Sequence, residues 1–419
     1  MKKICVLGMG YIGLPTASIF ATHGFEVVGV DKNPNIIEIL KQGNIHIDEP
    51  GLKTIVRAAL GSGMLTPNLE PEEADVFIIA VPTPITPAKK ADLSHVKEAA
   101  QEILPYLRNG NLVILESTSP PGTTVDFLIP ILKKAKLKIG EELYVVHSPE
   151  RVLPGRILKE LIENDRVIGG VNQKSAVLAK NLYESFVEGE IHLTDATTAE
   201  LAKILENTYR DVNIALVNEL ATVCSDLAVD VWEAVKLANL HPRVNLHFPG
   251  PGVGGHCISV DPWFLVEKIP ENAKLISQAR EINDSMPVHV ARIVKESLKD
   301  LDIKTPKVSI LGVSYKGNVG DTRESPAIAV IEELKKAGFR IAIYDPHVRD
   351  FEHELVSIEE AFKGSDCVVI LADHQEFKYL NPAELGRLMR HRTVIDTRNC
   401  LNLQQWSNQG FTTRLLGKA

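Results

Sequence analysis

Cysteine is scarce in this sequence and never paired. The five thiols, Cys5, Cys224, Cys257, Cys367 and Cys400, are scattered over 419 residues with no C-x-x-C spacing. That argues against a disulfide framework and against a structural zinc site, since both need clustered ligands. His256 and Cys257 are adjacent rather than helically spaced, so no metal is expected there either. Excess positive charge is also missing. The formal net charge is -8, which argues against a nucleic-acid partner and a basic membrane-docking surface. Lys2 and Lys3 precede an apolar run, but Gly8 and Gly10 interrupt it, so the segment reads as the first strand of a cytoplasmic protein and not as a leader. With 44% hydrophobic and 24% charged residues, the composition is that of an ordinary globular chain with room for two or three domains.

What is present starts at the N-terminus. Lys3 to Leu7 is a short β-branched apolar run, as expected for a strand buried on both faces, and Gly8-Met9-Gly10-Tyr11-Ile12-Gly13 follows at once. Leu14 to His23 then reads as a helix, Gly24 as its stop, and Phe25 to Val30 as a second strand ending on Asp31. This order is a dinucleotide fingerprint. Gly8 permits the tight turn, Gly10 lets backbone approach a pyrophosphate at the helix N-terminus, and Gly13 lets the helix lie close to the strand. Tyr11 and Ile12 complete the turn. Asp31, eighteen residues after Gly13, would accept hydrogen bonds from a ribose diol and repel a 2′-phosphate. The cofactor is therefore expected to be NAD rather than NADP, with Lys32 beside it.

Further strands are expected at Ala74 to Val81, Leu112 to Glu116, Tyr144 to His147 and Val167 to Gly169. Polar or proline-rich segments follow three of them, carrying Pro82 and Thr83, then Thr118, then Glu150 and Arg151. In an open α/β sheet ligands bind off the carboxyl ends of the strands, so these segments are candidate contacts. A long helix is expected from Thr198 to Val229, with Leu201, Ile204, Leu205, Leu216, Leu220 and Val223 among its apolar positions. Its polar stripe holds Lys203, Asn207, Arg210, Asp211 and Asn218, and Lys203 and Asn207 are expected to face an interdomain cleft. A second helix is expected at Asn283 to Asp300. Past Thr305-Pro306 a second α/β unit begins, with a strand and turn over 307–316 and strands at 340–344, 367–371 and 393–396, but its first turn lacks the repeated glycines. The expected fold is α/β, with two Rossmann-like doubly wound domains (1–197 and 305–419) joined by a long central helix and helical region (198–304).

The remaining signal is the loop Pro249-Gly250-Pro251-Gly252-Val253-Gly254-Gly255-His256-Cys257-Ile258-Ser259-Val260-Asp261. Its glycines permit close backbone approach to a ligand, and its prolines limit its freedom. The other four thiols read as core fillers. A buried Cys257 beside a nicotinamide cofactor would provide a covalent stop at an aldehyde, allowing an alcohol to be carried through to an acid. A nearby cation such as Lys203 favours the thiolate.

These segments together resemble the nucleotide-sugar 6-dehydrogenase family, the UDP-glucose and GDP-mannose dehydrogenase group. The resemblance runs over essentially the whole chain, through GMGYIGLP, ELAKILENTYRDVNIALVNE, PGPGVGGHCISVDPW and KGNVGDTRESP. It implies oxidation of a UDP-sugar C6 alcohol to a carboxylate with two NAD+, Cys257 acting as the nucleophile. It implies that Asp261 and Lys203 hold a proton-accepting water, that Lys203 and Asn207 stabilise an oxyanion, and that Glu150 orients the hydrolytic water. By the same resemblance Asp321 and Arg323 lie in the cofactor region and Lys316 meets a substrate phosphate. Arg151, Arg210, His241 and Gly254 join the substrate site, and Arg243 reaches into the neighbouring subunit of a homodimer. The run from His241 to Leu265 is most similar to the branch acting on UDP-N-acetylmannosamine, with UDP-N-acetylglucosamine the alternative. Val260 stands where the UDP-glucose branch has lysine, and Gly320 replaces an acidic residue common before DTRESP.

Overall fold

The computed structural model describes residues 2–47 and 49–418. The chain divides into two compact units, Met1–Glu206 with Trp263–Pro270, and Asn207–Pro262 with Glu271–Ala419. Two of the three divisions fall inside helices, Ala196–Asp226 and Asp261–Lys268, and the third lies two residues past the second helix.

The first unit is built on eight strands: β1 (Lys3–Leu7), β2 (Glu26–Val30), β3 (Leu65–Asn68), β4 (Val76–Ile79), β5 (Asn111–Leu115), β6 (Leu143–His147), β7 (Arg166–Gly170) and β8 (Ile191–Asp195). They lie in the order β3-β2-β1-β4-β5-β6-β7-β8, whose first six positions have the arrangement of a dinucleotide-binding sheet. All neighbours are parallel except β6 and β7. Apolar residues pack on both faces. In β1, Ile4 and Val6 join one core with Phe20 and Leu52, while Cys5 and Leu7 join the other with Phe77 and Val113. That two-sided burial is why these strands read as continuous apolar runs. Strands β3 and β8 escaped the sequence reading because they are edge strands: LTPN contains a proline, tolerated at an edge, and IHLTD is half polar.

The second unit carries five parallel strands, β9 (Lys307–Leu311), β10 (Arg340–Tyr344), β11 (Cys367–Ile370), β12 (Thr393–Asp396) and β13 (Thr412–Leu415), ordered β10-β9-β11-β12-β13. Cores form on each face. The turn after β9 repeats the logic of the first. Gly312 has φ +86, and the Asp345 carboxylate accepts from the N–H groups of Val313 at 2.7 Å and Ser314 at 3.2 Å.

The long helix runs from Ala196 to Asp226. Its partner helix, Lys274–Leu298, begins nine residues before the expected start. In the polar stripe Asp211 and Asn218 are buried, because they are bonded to the partner helix. Arg280 Nη1 meets Asp211 Oδ1 at 2.5 Å, Asn283 donates to the same oxygen at 2.8 Å, and Asn218 donates to Asn283 at 2.8 Å. Asn218 also accepts the Gly250 N–H at 2.9 Å, tying the start of the cysteine loop to this polar seam. Three of the positions read as apolar, Leu205, Leu216 and Val223, are exposed instead.

Candidate active site

In the first unit the fingerprint glycines act as the spacing requires. Gly8 has φ +96, and a Cβ there would lie 2.6 Å from the Ala80 carbonyl oxygen. A Cβ at Gly13 would fall 1.8 Å from the Gly8 oxygen, whereas one at Gly10 would meet no atom within 4 Å. The turn is thus sealed on its protein side and open where a pyrophosphate would approach. Asp31 accepts the Met9 N–H at 2.9 Å and the Asn33 N–H at 2.9 Å, so the carboxylate is fixed against the turn before any ribose arrives. Lys32 turns to Glu98 at 2.9 Å and Glu102 at 2.8 Å. Its charge is already matched, which leaves Asp31 to reject a 2′-phosphate. Thr83 donates to the Thr118 carbonyl at 2.6 Å, joining the segments after β4 and β5. Pro82 is exposed beside them, while Tyr11 and Ile12 are half-buried in the turn.

Glu150 follows β6 and is buried, its carboxylate accepting the Val152 N–H at 2.6 Å. Burial pushes its pKa up, and the charges of Lys203 and Arg166 together with the Val152 and Arg151 N–H groups recover only part of that cost. Arg151 itself is committed to Glu206, at 2.6 Å from Nε and 2.5 Å from Nη2. Lys203 is half-buried on the long helix, one turn before Asn207.

The second unit assembles the cysteine loop. Asn207 is fully buried and donates to Asp261 Oδ2 at 2.5 Å, joining two motifs 54 residues apart. Arg210 donates in turn to Asn207 Oδ1. Asp261 opens a helix, and its N–H donates to the Cys257 carbonyl at 2.8 Å. Cys257 is half-buried, not buried as expected. The loop glycines accommodate protein. A Cβ at Gly254 would lie 2.6 Å from the Glu324 carbonyl oxygen and 2.8 Å from Pro326, and one at Gly255 would lie 3.0 Å from the Tyr315 ring. The absent side chains at Gly254 and Gly255 thus make room for Glu324, Pro326 and Tyr315. Gly255 N–H donates to the Arg323 carbonyl at 3.1 Å, and the Arg323 side chain is clamped on Asp321. Lys316, His241 and Arg243 are exposed, the Arg243 N–H donating to His241 Nδ1 at 3.3 Å. Of the other thiols, Cys5, Cys224 and Cys367 are buried, and Cys400 is half-buried against the core of the second sheet.

Models of the UDP-glucose/GDP-mannose dehydrogenase family match three stretches: the NAD binding domain over residues 2–187, the central domain over 197–285 and the UDP binding domain over 309–403. The chain belongs to this family. It is accordingly an NAD-dependent nucleotide-sugar dehydrogenase. Among similar proteins are the UDP-N-acetyl-D-mannosamine dehydrogenases of Methanocaldococcus jannaschii, 53% identical over 99% of this chain and 96% of the relative, and of Methanococcus vannielii, 52% identical over 100% and 97%. A solved structure of the UDP-D-ManNAc dehydrogenase from Pyrococcus horikoshii superposes with a TM-score of 0.94 at 44% identity, covering 99% of each chain. No helix among the described residues is long and apolar enough to cross a membrane.

Sequence reasoning missed several buried groups around these sites, notably Glu116, Arg166, Tyr183, Glu200 and Arg280. The one legible hint was a charged residue, Arg166, heading the apolar strand RVIGG. Glu200, on the long helix, accepts from the N–H groups of Gly122 at 2.6 Å and Thr124 at 2.7 Å, fixing the segment that follows Thr118.

Proposed function

We propose that this enzyme oxidises the C6 alcohol of UDP-N-acetyl-D-mannosamine to the carboxylate through a thioester on Cys257. The observation that carries the reading is the Asn207 to Asp261 hydrogen bond, with Cys257 bonded to Asp261 through its backbone. It makes one constellation of a thiol, an acid and an amide donor. The substrate assignment is supported by the names of relatives at 52–53% identity and by Val260.

Gly8, Gly10, Tyr11, Ile12, Gly13 and Asp31 would hold NAD, with Pro82, Thr83, Thr118 and Arg323 assigned to it by resemblance, and two NAD+ in turn would accept the two hydrides. A water held by Asp261 and Lys203 takes the hydroxyl proton as the alcohol becomes the aldehyde. The Cys257 sulfur adds to the aldehyde carbon and forms a C–S bond, while Lys203 and Asn207 donate to the oxyanion, each donor contributing about 3 kcal/mol. Loss of a second hydride leaves the thioester. Water oriented by Glu150 then adds to its carbonyl, the C–S bond breaks, and the thiol is restored. Arg151, Arg210, His241, Gly254 and Lys316 complete the substrate site. The exposed apolar face of the long helix, Leu205, Tyr209, Leu216 and Val223 at spacings of four, seven and seven, fits a homodimer in which Arg243 reaches the neighbouring site.

The test is stoichiometry together with the thiol. Two NADH per sugar are expected, and Cys257→Ser should still bind NAD yet make no uronate. One NADH per sugar, or uronate from the serine variant at the normal rate, would refute covalent four-electron oxidation. Assaying UDP-N-acetylmannosamine beside UDP-N-acetylglucosamine, UDP-glucose and GDP-mannose checks the sugar.

A further inference from the structure

We propose that Arg166 is a positioning residue for Glu150, holding a fixed positive charge beneath the Ser148–Glu150 turn. The inference rests on the hydrolytic role proposed for Glu150. Arg166 is the first residue of β7 and is almost wholly buried. Its Nη1 lies 3.0 Å from the Ser148 hydroxyl, two residues before Glu150, and 3.3 Å from Glu116 Oε1 at the end of β5. Tyr183 donates to the same Glu116 oxygen at 2.5 Å, and its ring centroid lies 4.1 Å from the guanidinium carbon. The guanidinium is therefore held by a carboxylate, a hydroxyl and an aromatic face.

A buried ion pair of this kind is a poor route to stability, since apolar residues of equal volume commonly do as well. Its value lies in what it does to its neighbour. Glu150 and Arg166 line the same small cleft, the charges of Arg166 and Lys203 both favour the Glu150 carboxylate, and Glu116 pairs with Arg166 as counter-charge. Lys203 is half-buried and is assigned to work on the substrate. Arg166 is locked in place and stays charged throughout turnover. It lowers the cost of ionising a desolvated carboxylate, which favours the form of Glu150 that accepts a hydrogen bond from water.

The experiment follows hydrolysis of the Cys257 thioester by intact mass in single turnovers across pH. Arg166→Gln should move the acidic limb of hydrolysis up by about one unit or more, the range for losing an opposite charge at close quarters. Arg166→Lys should restore it towards wild type. Glu116→Gln removes the competing counter-charge and should move the limb the opposite way, to lower pH. General damage to packing would not give shifts of opposite sign. Limbs that stay put, or move together, overturn the proposal. If Arg166→Gln does not fold, Glu116→Gln and Arg166→Lys decide alone: an unmoved limb in Glu116→Gln overturns it. Glu150→Gln separates the two readings. Normal hydrolysis in that variant sinks the role of Glu150, whereas a stalled thioester there with unmoved limbs in the other variants sinks only the role of Arg166.

Discussion

Replacing Arg280 by Met removes the cation from the seam between the two long helices while keeping most of the side-chain volume. In the native protein Asp211 is fully buried, 2.5 Å from Arg280 Nη1, with Asn283 the further side-chain donor among the described residues. Burial pushes the Asp211 pKa up, and the guanidinium recovers only part of that cost. Without Arg280 the carboxylate is a buried charge with one amide donor, a situation costing about 3–5 kcal/mol. Urea unfolding at pH 7 should show a loss of that size. An acid whose folded pKa lies above its unfolded value loses stability as pH rises through the folded pKa and regains it as pH falls towards the unfolded value. The variant should therefore recover part of its loss between pH 7 and pH 5. Asp211→Asn combined with Arg280→Met should be more stable than Arg280→Met alone, because the buried carboxylate charge is gone. A single variant within about 1 kcal/mol of wild type, below the range for an orphaned buried charge, would refute the reasoning. So would a double variant no better than the single one.

Asp31→Ala should raise KM for NAD by about 10-fold to 100-fold, the range for charge-assisted hydrogen bonds, with little change in KM for the UDP-sugar; equal loss of both would undo the assignment of the first unit to NAD. Gly13→Ala places a methyl carbon 1.8 Å from the Gly8 oxygen, so NAD binding measured by calorimetry should be lost, and retained affinity would show that the turn yields. Leu216→Glu with Val223→Glu puts charge on the exposed apolar face of the long helix. Light scattering should then report a monomer, and an unchanged dimer would place the interface elsewhere.

The local features were legible in the chain because they depend on backbone geometry and short periods. A glycine at φ +96 in the first turn, an acid after the second strand and apolar runs buried on two faces are each written in neighbouring residues. The long helix was legible too, but its faces were not. Asn207 and Asp211 sit among polar residues that could equally have met water, and only packing against Asp261, Arg280 and Asn283 makes them interior. The same holds for the loop glycines, whose crowding comes from Tyr315, Glu324 and Pro326, some 60 to 70 residues onward in the chain. The network of Glu116, Ser148, Arg166 and Tyr183 likewise brings together residues from four separate elements. Sequence by itself determined the first glycine-rich turn of this protein and where its central strands lie. Tertiary structure decided which charges lost their water, because desolvation depends on what packs from elsewhere in the chain, and no short-range pattern records it.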